Sequence, residues 1–204
     1  MNPKLLIATS NRKKGGEMLQ ILGASLPNIT LLTLAEIPGL VPVEETGETF
    51  EQNARLKAEA GAKLSGLVTI ADDGGLVIDA LNGAPGVHSH RFLGEASSFE
   101  EKMNRILELM CDIPDEKRTC RFQCCAAICD THGKTITVEG VCEGRIAHEI
   151  RGRNGFGYDP IFLLPELHRH MAELTPEEKH KISHRGKALA KAMPILHQIF
   201  NSDP

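Results

Sequence analysis

Short apolar runs and amphipathic stretches follow one another along the chain, and they predict interleaved strands and helices. Buried strands are expected where a few apolar residues stand together, at residues 4–8, 29–34, 67–71 and 161–164. Residues 120–130 and 134–141 alternate apolar and polar positions around Thr131-His132-Gly133. That alternation is typical of a β-hairpin.

Sequences that cap helix N-termini mark three helices. In each, a serine or threonine is followed three residues later by glutamate or glutamine. Both side chains can then accept hydrogen bonds from backbone N–H groups at the start of the helix. The three begin at Thr49, Ser98 and Thr175. Apolar spacing predicts another helix through residues 18–22, and a last helix through residues 189–200 with a kink or break at Pro194. Because strands and helices follow no strict βαβ rhythm, the predicted class is α/β with a mixed sheet.

Size and charge narrow the class of protein. The 204 residues suit a single domain spanning 1–204, with room for two lobes. A formal net charge of −4 argues against binding to nucleic acid or to an anionic membrane surface, because both need a basic field. Six cysteines without a C-x-x-C pair favour free thiols over a zinc site. With no secretory leader pattern at the start of the chain, these thiols favour a cytoplasmic location.

The polar segment 9–14 follows the first predicted strand and precedes a helix. Its backbone amides and hydroxyls suit phosphate oxygens, and the helix N-terminus adds a favourable dipole. The P-loop spacing G-x-x-x-x-G-K-[ST] is absent from the chain, so a solvated basic turn is the alternative. Asn53 and Lys57, four apart on the helix expected from about Phe50, share a helix face.

Two acidic pairs suggest a metal site. Glu44-Glu45 precedes a helix, and Asp72-Asp73 is expected to end a strand beside Gly74 and Gly75. Successive strand residues point to opposite faces, so one aspartate of the pair is expected to face a metal. A Mg²⁺ ion on a triphosphate needs one or two protein carboxylates, and hydrolysis needs a carboxylate to activate water. A solvated loop and aspartates that cap the next element are the alternatives.

An aromatic segment suggests a base-binding loop. Residues 155–160 read Gly-Phe-Gly-Tyr-Asp-Pro and hold the chain's only tyrosine. The two glycines leave the face of Phe156 accessible to a nucleotide base, and the alternative is a hydrophobic plug. His184 and Arg185 offer donors to a purine carbonyl, or simply begin a helix. Lys179 lies near a helix start, where the dipole disfavours a cation unless an anion is nearby.

In combination these motifs resemble the inosine triphosphate pyrophosphatases, a family of hydrolases of non-standard purine nucleoside triphosphates. The likeness runs from Leu5 to about Leu189. It is carried by 9–14, 44–50, Asn53-x-x-x-Lys57, 71–73, 83–86, 154–162, 172–174 and 182–186. The resemblance implies an elongated mixed β-sheet flanked by helices, two lobes with a nucleotide cleft between them, and a homodimer. It also implies Mg²⁺-dependent attack of water at the α–β phosphate linkage of ITP, dITP or XTP, giving the monophosphate and pyrophosphate.

The same resemblance implies a role for each site residue. Glu45 and Asp73 would be metal ligands, Asp73 also the general base, and Asp72 an additional carboxylate at or behind the metal. The implied substrate contacts are Thr9, Ser10, Asn11, Arg12, Lys13, Lys14, Asn53, Lys57, Gly74, Phe156, Gly157, Tyr158, Asp159, Lys179, His184 and Arg185. Within that set Phe156 would be the base platform, with Asp159, His184 and Arg185 around the base edge.

One departure and two other functions qualify this interpretation. Gly74 stands where the family usually has serine, so only its backbone is left for a contact. A nucleotide-binding regulator without turnover is one alternative, although it gives no role to Glu45 and Asp73 together. A pyrophosphatase of modified pyrimidine nucleotides is the other, and Phe156, His184 and Arg185 argue against it. A zinc enzyme is disfavoured because the nine histidines show no H-E-x-x-H spacing.

Overall fold

The computed structural model describes residues 2–202, which form seven strands and five α-helices. The strands are β1 (Lys4–Ile7), β2 (Thr30–Thr33), β3 (Val68–Ile78), β4 (Thr119–Cys129), β5 (Thr135–Ile146), β6 (Phe162–Leu164) and β7 (Arg169–His170). The helices are α1 (Arg12–Ser25), α2 (Phe50–Ser65), α3 (Phe99–Leu109), α4 (Pro176–Ile182) and α5 (His184–Ser202). All seven strands belong to one sheet in the order β2-β1-β3-β4-β5-β6-β7.

The sheet is mixed, as predicted. Strand β1 pairs in parallel with both β2 and β3, whereas β6 pairs antiparallel with both β5 and β7. Helices connect the strands on the β1–β3 side of this order, which is what parallel neighbours require. The α/β class is therefore confirmed.

The capping sequences locate three helices correctly. Thr49, Ser98 and Thr175 each accept a hydrogen bond from the backbone N–H three residues later, and each pairs with a glutamate or glutamine that completes the capping box. These helices are α2, α3 and α4. The predicted hairpin is also present as β4 and β5, which are neighbours in the sheet.

Strand β3 is longer than predicted. It continues through Asp72, Asp73 and both glycines to Ile78, so the aspartates lie inside the strand and not at its end. A Cβ on Gly75 would lie 2.2 Å from Ser89 Oγ and 2.6 Å from the Gly86 carbonyl oxygen. Glycine is therefore required there by close packing, and it does not mark the end of the strand.

Two helix boundaries also differ from the prediction. Asn11 is the N-cap of α1 and accepts hydrogen bonds from the backbone N–H groups of Lys13 and Lys14, so the polar turn is shorter and the helix begins at Arg12. Helix α5 begins at His184 and runs through Pro194 without ending there. Leu189 and Leu196 are fully buried on either side of the proline, and this burial outweighs the lost backbone hydrogen bond.

The described chain divides into two compact units, each with its own apolar core. The first unit comprises the chain up to Asp73, Cys124–Gly140, and the chain from Arg185 onward. Its core includes Leu5, Ile7, Met18, Leu22, Ile70, Ile128 and Leu189. The second unit comprises Gly74–Gln123 and Val141–His184. Its core includes Leu76, Ile78, Ile106, Phe122, Ile161, Phe162 and Met171.

All six cysteines are free thiols, and only Cys111 is exposed. Burial raises the pKa of Cys125 to about 12 and that of Cys120 further. Such thiols stay protonated at neutral pH and pack as small apolar groups, as predicted. Within residues 2–202, no helix is long and apolar enough to cross a membrane.

Candidate active site

A lysine between two carboxylates forms the centre of a polar cluster in the first unit. Lys57 Nζ lies 2.5 Å from Glu45 Oε1 and 3.6 Å from Asp73 Oδ1. Lys57 lies on α2 and Asp73 on β3, whereas Glu45 belongs to the irregular segment before α2. Both Lys57 and Asp73 are buried. Three segments that are distant in sequence thus bring opposite charges to one point.

Asn53 holds the loop that carries Glu45. Its Oδ1 accepts a hydrogen bond from Gly47 N at 2.7 Å, while its Nδ2 donates to the Gly47 carbonyl and, at 3.1 Å, to Asp73 Oδ2. A Cβ on Gly47 would lie 2.7 Å from Asn53 Oδ1, so this approach requires glycine. The predicted shared face of Asn53 and Lys57 is confirmed, because both side chains reach Asp73.

Helix α1 adds a second cation. Lys14 Nζ lies 3.4 Å from Asp73 Oδ1. Burial works to lower the pKa of Lys14, but the Asp72 and Asp73 carboxylates outweigh it and raise this pKa above its usual value. Lys14 is therefore charged at neutral pH, as a phosphate ligand must be. Thr9 accepts a hydrogen bond from the backbone N–H of Asn11 at 3.3 Å and shapes the turn before the helix.

The other residues of the 9–14 segment lie away from this cluster. Ser10, Arg12 and Lys13 are exposed: Ser10 lies in the turn before α1, and the helix directs Arg12 and Lys13 outward while Lys14 points inward. Of the 9–14 segment, the structure therefore brings Lys14 to the cluster, whereas Thr9 and Asn11 shape the turn and cap α1 and the other three lie on the surface.

A second, deeper network surrounds Asp72. Its Oδ2 accepts hydrogen bonds from Arg185 Nε and Nη2 at 2.9 and 2.8 Å, and the thiol of Cys124 lies 3.6 Å away. Arg185 Nη1 donates to Glu17 Oε2 at 2.6 Å. Burial acts to raise the pKa of Asp72, but Arg185, Lys14 and Lys57 outweigh it and hold this pKa well below its usual range.

Asp72 and Asp73 therefore have different environments, as the alternation of a strand predicts. Asp72 is fully buried and bound by Arg185, whereas Asp73 faces the two lysines and Asn53. Asp72 is not among the carboxylates that converge on Lys57. Glu17 was missed by the sequence interpretation, although its position one turn after Lys14 on α1 places both on one helix face.

The carboxylates of the cluster fit a Mg²⁺ ion whose other ligands come from substrate phosphates and water. Among residues 2–202, no group of three or more histidine, cysteine or acidic side chains is placed to hold a metal alone. Glu45 and Asp73 supply two carboxylates to one point. Mg²⁺ is commonly held by one or two carboxylates, with substrate phosphates and water completing its shell. The residues present match that requirement and would not suffice for a metal site without substrate.

The second unit contains an aromatic loop with a buried ion pair. Asp159 Oδ2 accepts hydrogen bonds from Lys179 Nζ at 2.6 Å and from Phe156 N at 2.8 Å. Lys179 Nζ also lies 4.7 Å from the centre of the Phe156 ring, a cation–π distance. A Cβ on Gly155 would lie 2.1 Å from Asp159 Oδ2, and Gly155 and Gly157 both have positive φ. The loop needs both glycines to hold Phe156 in this position.

The remaining sequence candidates of the second unit have mainly packing contacts. Tyr158 is buried, donates a hydrogen bond to the Ser89 carbonyl at 2.8 Å, and packs edge-on against Phe99. Burial raises the pKa of its phenol. His184 is buried and stacks on Phe122 at 4.8 Å. Gly74 lies within β3 and is partly buried. The stacking of His184 on an aromatic ring was not predicted.

The fold is α/β, with a cluster of lysines and carboxylates in the first unit and an aromatic loop with a buried ion pair in the second. The chain belongs to the Ham1 family, whose sequence model matches residues 5–195. The dITP/XTP pyrophosphatase of Desulforamulus reducens is 45% identical over 197 residues, 97% of this chain and 97% of its own. That of Exiguobacterium sibiricum is 45% identical over 193 residues, 95% of this chain and 96% of its own.

Solved structures agree with this membership. A HAM1 protein from Coxiella burnetii matches with a TM-score of 0.86 and 40% identity, covering 96% of this chain and 99% of that one. The Staphylococcus aureus Ham1 protein matches with a TM-score of 0.85 and 37% identity, covering 96% of this chain and 98% of that one. The family resemblance inferred from the motifs is confirmed.

Proposed function

We propose that this protein hydrolyses non-standard purine nucleoside triphosphates (ITP, dITP and XTP) to the nucleoside monophosphate and pyrophosphate, with Mg²⁺ as cofactor. The relatives named dITP/XTP pyrophosphatases support the reaction class, since they match the chain over almost its whole length. The observation that carries the proposal is the convergence of Glu45 and Asp73 on Lys57. This arrangement combines phosphate-binding charge with metal-binding oxygens.

In the proposed complex, Glu45 and Asp73 would hold Mg²⁺, which would neutralise charge on the triphosphate. Lys57 and Lys14 then turn from the carboxylates to phosphate oxygens. The Glu45 and Asp73 oxygens attract either cation, an ammonium or a divalent metal ion. Asn53 keeps the Glu45 loop and Asp73 in place during this exchange of partners. Thr9 and Asn11 are proposed to add hydrogen bonds to the phosphates.

Asp73 is proposed as the group that accepts a proton from the attacking water. The water oxygen bonds to the α-phosphorus as the bond from that phosphorus to the α–β bridging oxygen breaks, and pyrophosphate leaves. A buried carboxylate oriented by Asn53 suits this role, because a general base must be held at hydrogen-bond distance from its water. Lys14 and Lys57 stabilise the negative charge that gathers on the phosphate oxygens.

The aromatic loop is proposed to bind the base. Phe156 provides a ring face for stacking, and the Asp159–Lys179 pair fixes the loop through the Phe156 backbone N–H. His184 and Arg185 are proposed to read the base edge. The guanidinium of Arg185 donates from Nε, Nη1 and Nη2 to Asp72 and Glu17, so these carboxylates fix its direction.

A selectivity for oxygen at the six-position of the purine follows from this assignment. Inosine and xanthosine present an acceptor there, whereas adenine presents an amino donor that would face the donors of Arg185. An unpaired buried polar group costs about 1–3 kcal/mol, which is roughly tenfold per mismatch. We expect kcat/KM for ITP and XTP to be at least about tenfold above that for ATP, with GTP intermediate or low.

The matched variant for this prediction is Arg185→Lys. It keeps a positive charge opposite Asp72 but loses the planar fork of the guanidinium. The ITP-to-ATP ratio of kcat/KM should narrow in the variant, while its melting temperature reports whether the fold is kept. Equal activity of the unmutated protein on ATP and ITP would contradict the proposed base recognition.

Lys57→Ala is expected to weaken triphosphate binding by about 10–100-fold, since a charge-assisted hydrogen bond contributes roughly 1.5–3 kcal/mol. The measurement is calorimetric titration with an ITP analogue that has a non-hydrolysable α–β bridge. Lys63→Ala is the control, because Lys63 is exposed on the same helix. A Lys57→Ala protein that melts much earlier but binds the analogue normally would make Lys57 a structural residue.

The resemblance also leads us to propose a cytoplasmic homodimer. Sedimentation velocity over a range of protein concentrations tests the oligomeric state, and a monomer at every concentration would refute it.

A further inference from the structure

A pocket in the second unit is lined mainly by charged and imidazole side chains, and none of the proposed catalytic residues is among them. Its volume is about 260 Å³. The side chains that matter for its chemistry are Asp115, Arg118, Arg145, His148, Arg151 and His170. With Glu149, also on the lining, three arginines face two carboxylates. The pocket is thus net positive even with neutral histidines, in a chain whose formal net charge is −4.

Arg118 gives this pocket a buried positive charge. Its guanidinium donates hydrogen bonds to the backbone carbonyls of Met110, Ile113, Ile146 and Ala147. In the described part of the chain, no carboxylate lies within ion-pair distance of it, and the side chain is only 2% exposed. Carbonyl groups satisfy its donors but do not cancel its charge, so its field extends into the pocket.

The two acidic side chains have partners at the rim. Asp115 Oδ1 lies 2.6 Å from His148 Nε2, and Glu149 pairs with Arg151. Both carboxylate side chains are more than half exposed, at 74% and 60%, so water screens them well. They therefore oppose the inner positive charge only weakly.

Arg145 is the arginine best placed to bind a ligand here. It is half-buried, and its guanidinium makes one hydrogen bond within the described residues, a long contact of 3.5 Å from Nη1 to the backbone carbonyl of Asp115. A guanidinium has five N–H donors in a planar fork that matches two oxygens of a phosphate. Among residues 2–202 Arg145 forms no ion pair, and the nearby Asp115 carboxylate, which feels its charge, is paired with His148 instead.

His170 adds a group that distinguishes one anion from another. Its ring is buried and lines the pocket, and Nδ1 lies 2.6 Å from the Pro160 carbonyl oxygen. A carbonyl only accepts, so Nδ1 carries a hydrogen and Nε2 of the neutral ring is an acceptor. Hydrogen phosphate has an O–H that can donate to Nε2, together with oxygens that accept from arginine. Sulfate has no such hydrogen.

We propose that this pocket is a binding site for inorganic hydrogen phosphate, held by the fork of Arg145 in the field of Arg118, with its O–H donated to His170 Nε2. The site shares no side chain with the lysine and carboxylate cluster around Asp73, and it does not depend on the hydrolytic function proposed above.

Calorimetric titration of the full chain with inorganic phosphate tests this site, at constant ionic strength and with sulfate titrated in parallel. Phosphate should bind saturably and more tightly than sulfate. Arg145→Gln should weaken phosphate binding about tenfold or more, because a charge-assisted pair is lost. Arg121→Gln is the matched control, since Arg121 lies on β4 of the same unit and pairs with Asp79 outside the pocket.

Lys57→Ala separates this site from phosphate binding at the catalytic cluster. The phosphate affinity assigned to the pocket should persist in Lys57→Ala and be lost in Arg145→Gln, with both variants melting like the unmutated chain. Arg145→Lys should recover part of the affinity because it restores the charge. Binding that is lost in Lys57→Ala but kept in Arg145→Gln would overturn the proposal, as would equal affinity for sulfate or no saturable binding.

Discussion

Asp73→Asn should lower kcat for ITP by about 10²–10⁴-fold, the usual contribution of a general base, while the protein remains folded. Asp73 Oδ2 accepts from Asn53, and Oδ1 faces Lys14 and Lys57. An asparagine has the same shape but cannot take a proton from water and binds a divalent cation less well. The loss of charge should also raise the Mg²⁺ concentration needed for half-maximal rate. Steady-state kinetics with a Mg²⁺ titration measures both effects.

Asp79→Asn is the matched control for this experiment. Asp79 follows β3 directly, is exposed, and bonds Thr119 and Arg121 in the second unit. Its substitution should leave kcat unchanged within about twofold, as is usual for a surface position. Near-normal turnover by a well-folded Asp73→Asn protein would remove Asp73 from the mechanism, even if the control behaved as expected.

Arg185→Met should destabilise the protein by about 3–5 kcal/mol, because it leaves the fully buried Asp72 carboxylate without its principal counter-charge. Urea unfolding at neutral pH measures this loss. Arg121→Met, which breaks an exposed pair with Asp79, should cost only about 0.2–1 kcal/mol. Replacing Asp72 as well, as Asp72→Leu with Arg185→Met, should recover the part of the stability that the unpaired Asp72 carboxylate costs. A single variant as stable as the unmutated chain would refute this account of Asp72.

The stability cost of Arg185→Met should depend on pH. In the unmutated protein the pKa of Asp72 is held low by Arg185, Lys14 and Lys57 against the effect of burial. Its stabilising contribution is thus present above the ordinary carboxyl pKa of about 4 and falls as pH drops below that value. Without Arg185, burial shifts this pKa upward, and protonation then relieves the unpaired charge. The difference between variant and parent should therefore shrink as pH falls from 7 towards 4.

Local sequence signals predicted much of the fold because their causes are local. In each capping box, two side chains three residues apart accept hydrogen bonds from backbone N–H groups of the same helix start. The hydroxyls are those of Thr49, Ser98 and Thr175, and this pairing does not depend on the rest of the fold. The spacing of Asn53 and Lys57 on one helix face likewise located two side chains of the cluster. The remaining residues of the candidate site were predicted from the family motifs.

The features that were not predicted depend on contacts between distant segments. Arg185 lies 113 residues from Asp72, and nothing in its local sequence specifies that partner. Lys57 was placed on the helix face of Asn53, but its contacts with Glu45 and Asp73 were not predicted. Strand β3 continues past its glycines because the Gly86–Ser89 turn packs against Gly75. Such contacts follow from tertiary packing, which overrides local propensity.

The position of bond cleavage tests the central claim most directly. The protein is incubated with Mg²⁺ and ITP, dITP, XTP or ATP in ¹⁸O-labelled water, with chelator in a parallel reaction, and the products are identified by mass spectrometry. The proposal predicts inosine or xanthosine monophosphate carrying the ¹⁸O, together with unlabelled pyrophosphate, and no reaction in the presence of chelator. Orthophosphate with the nucleoside diphosphate, or label in the pyrophosphate, would contradict attack at the α-phosphorus.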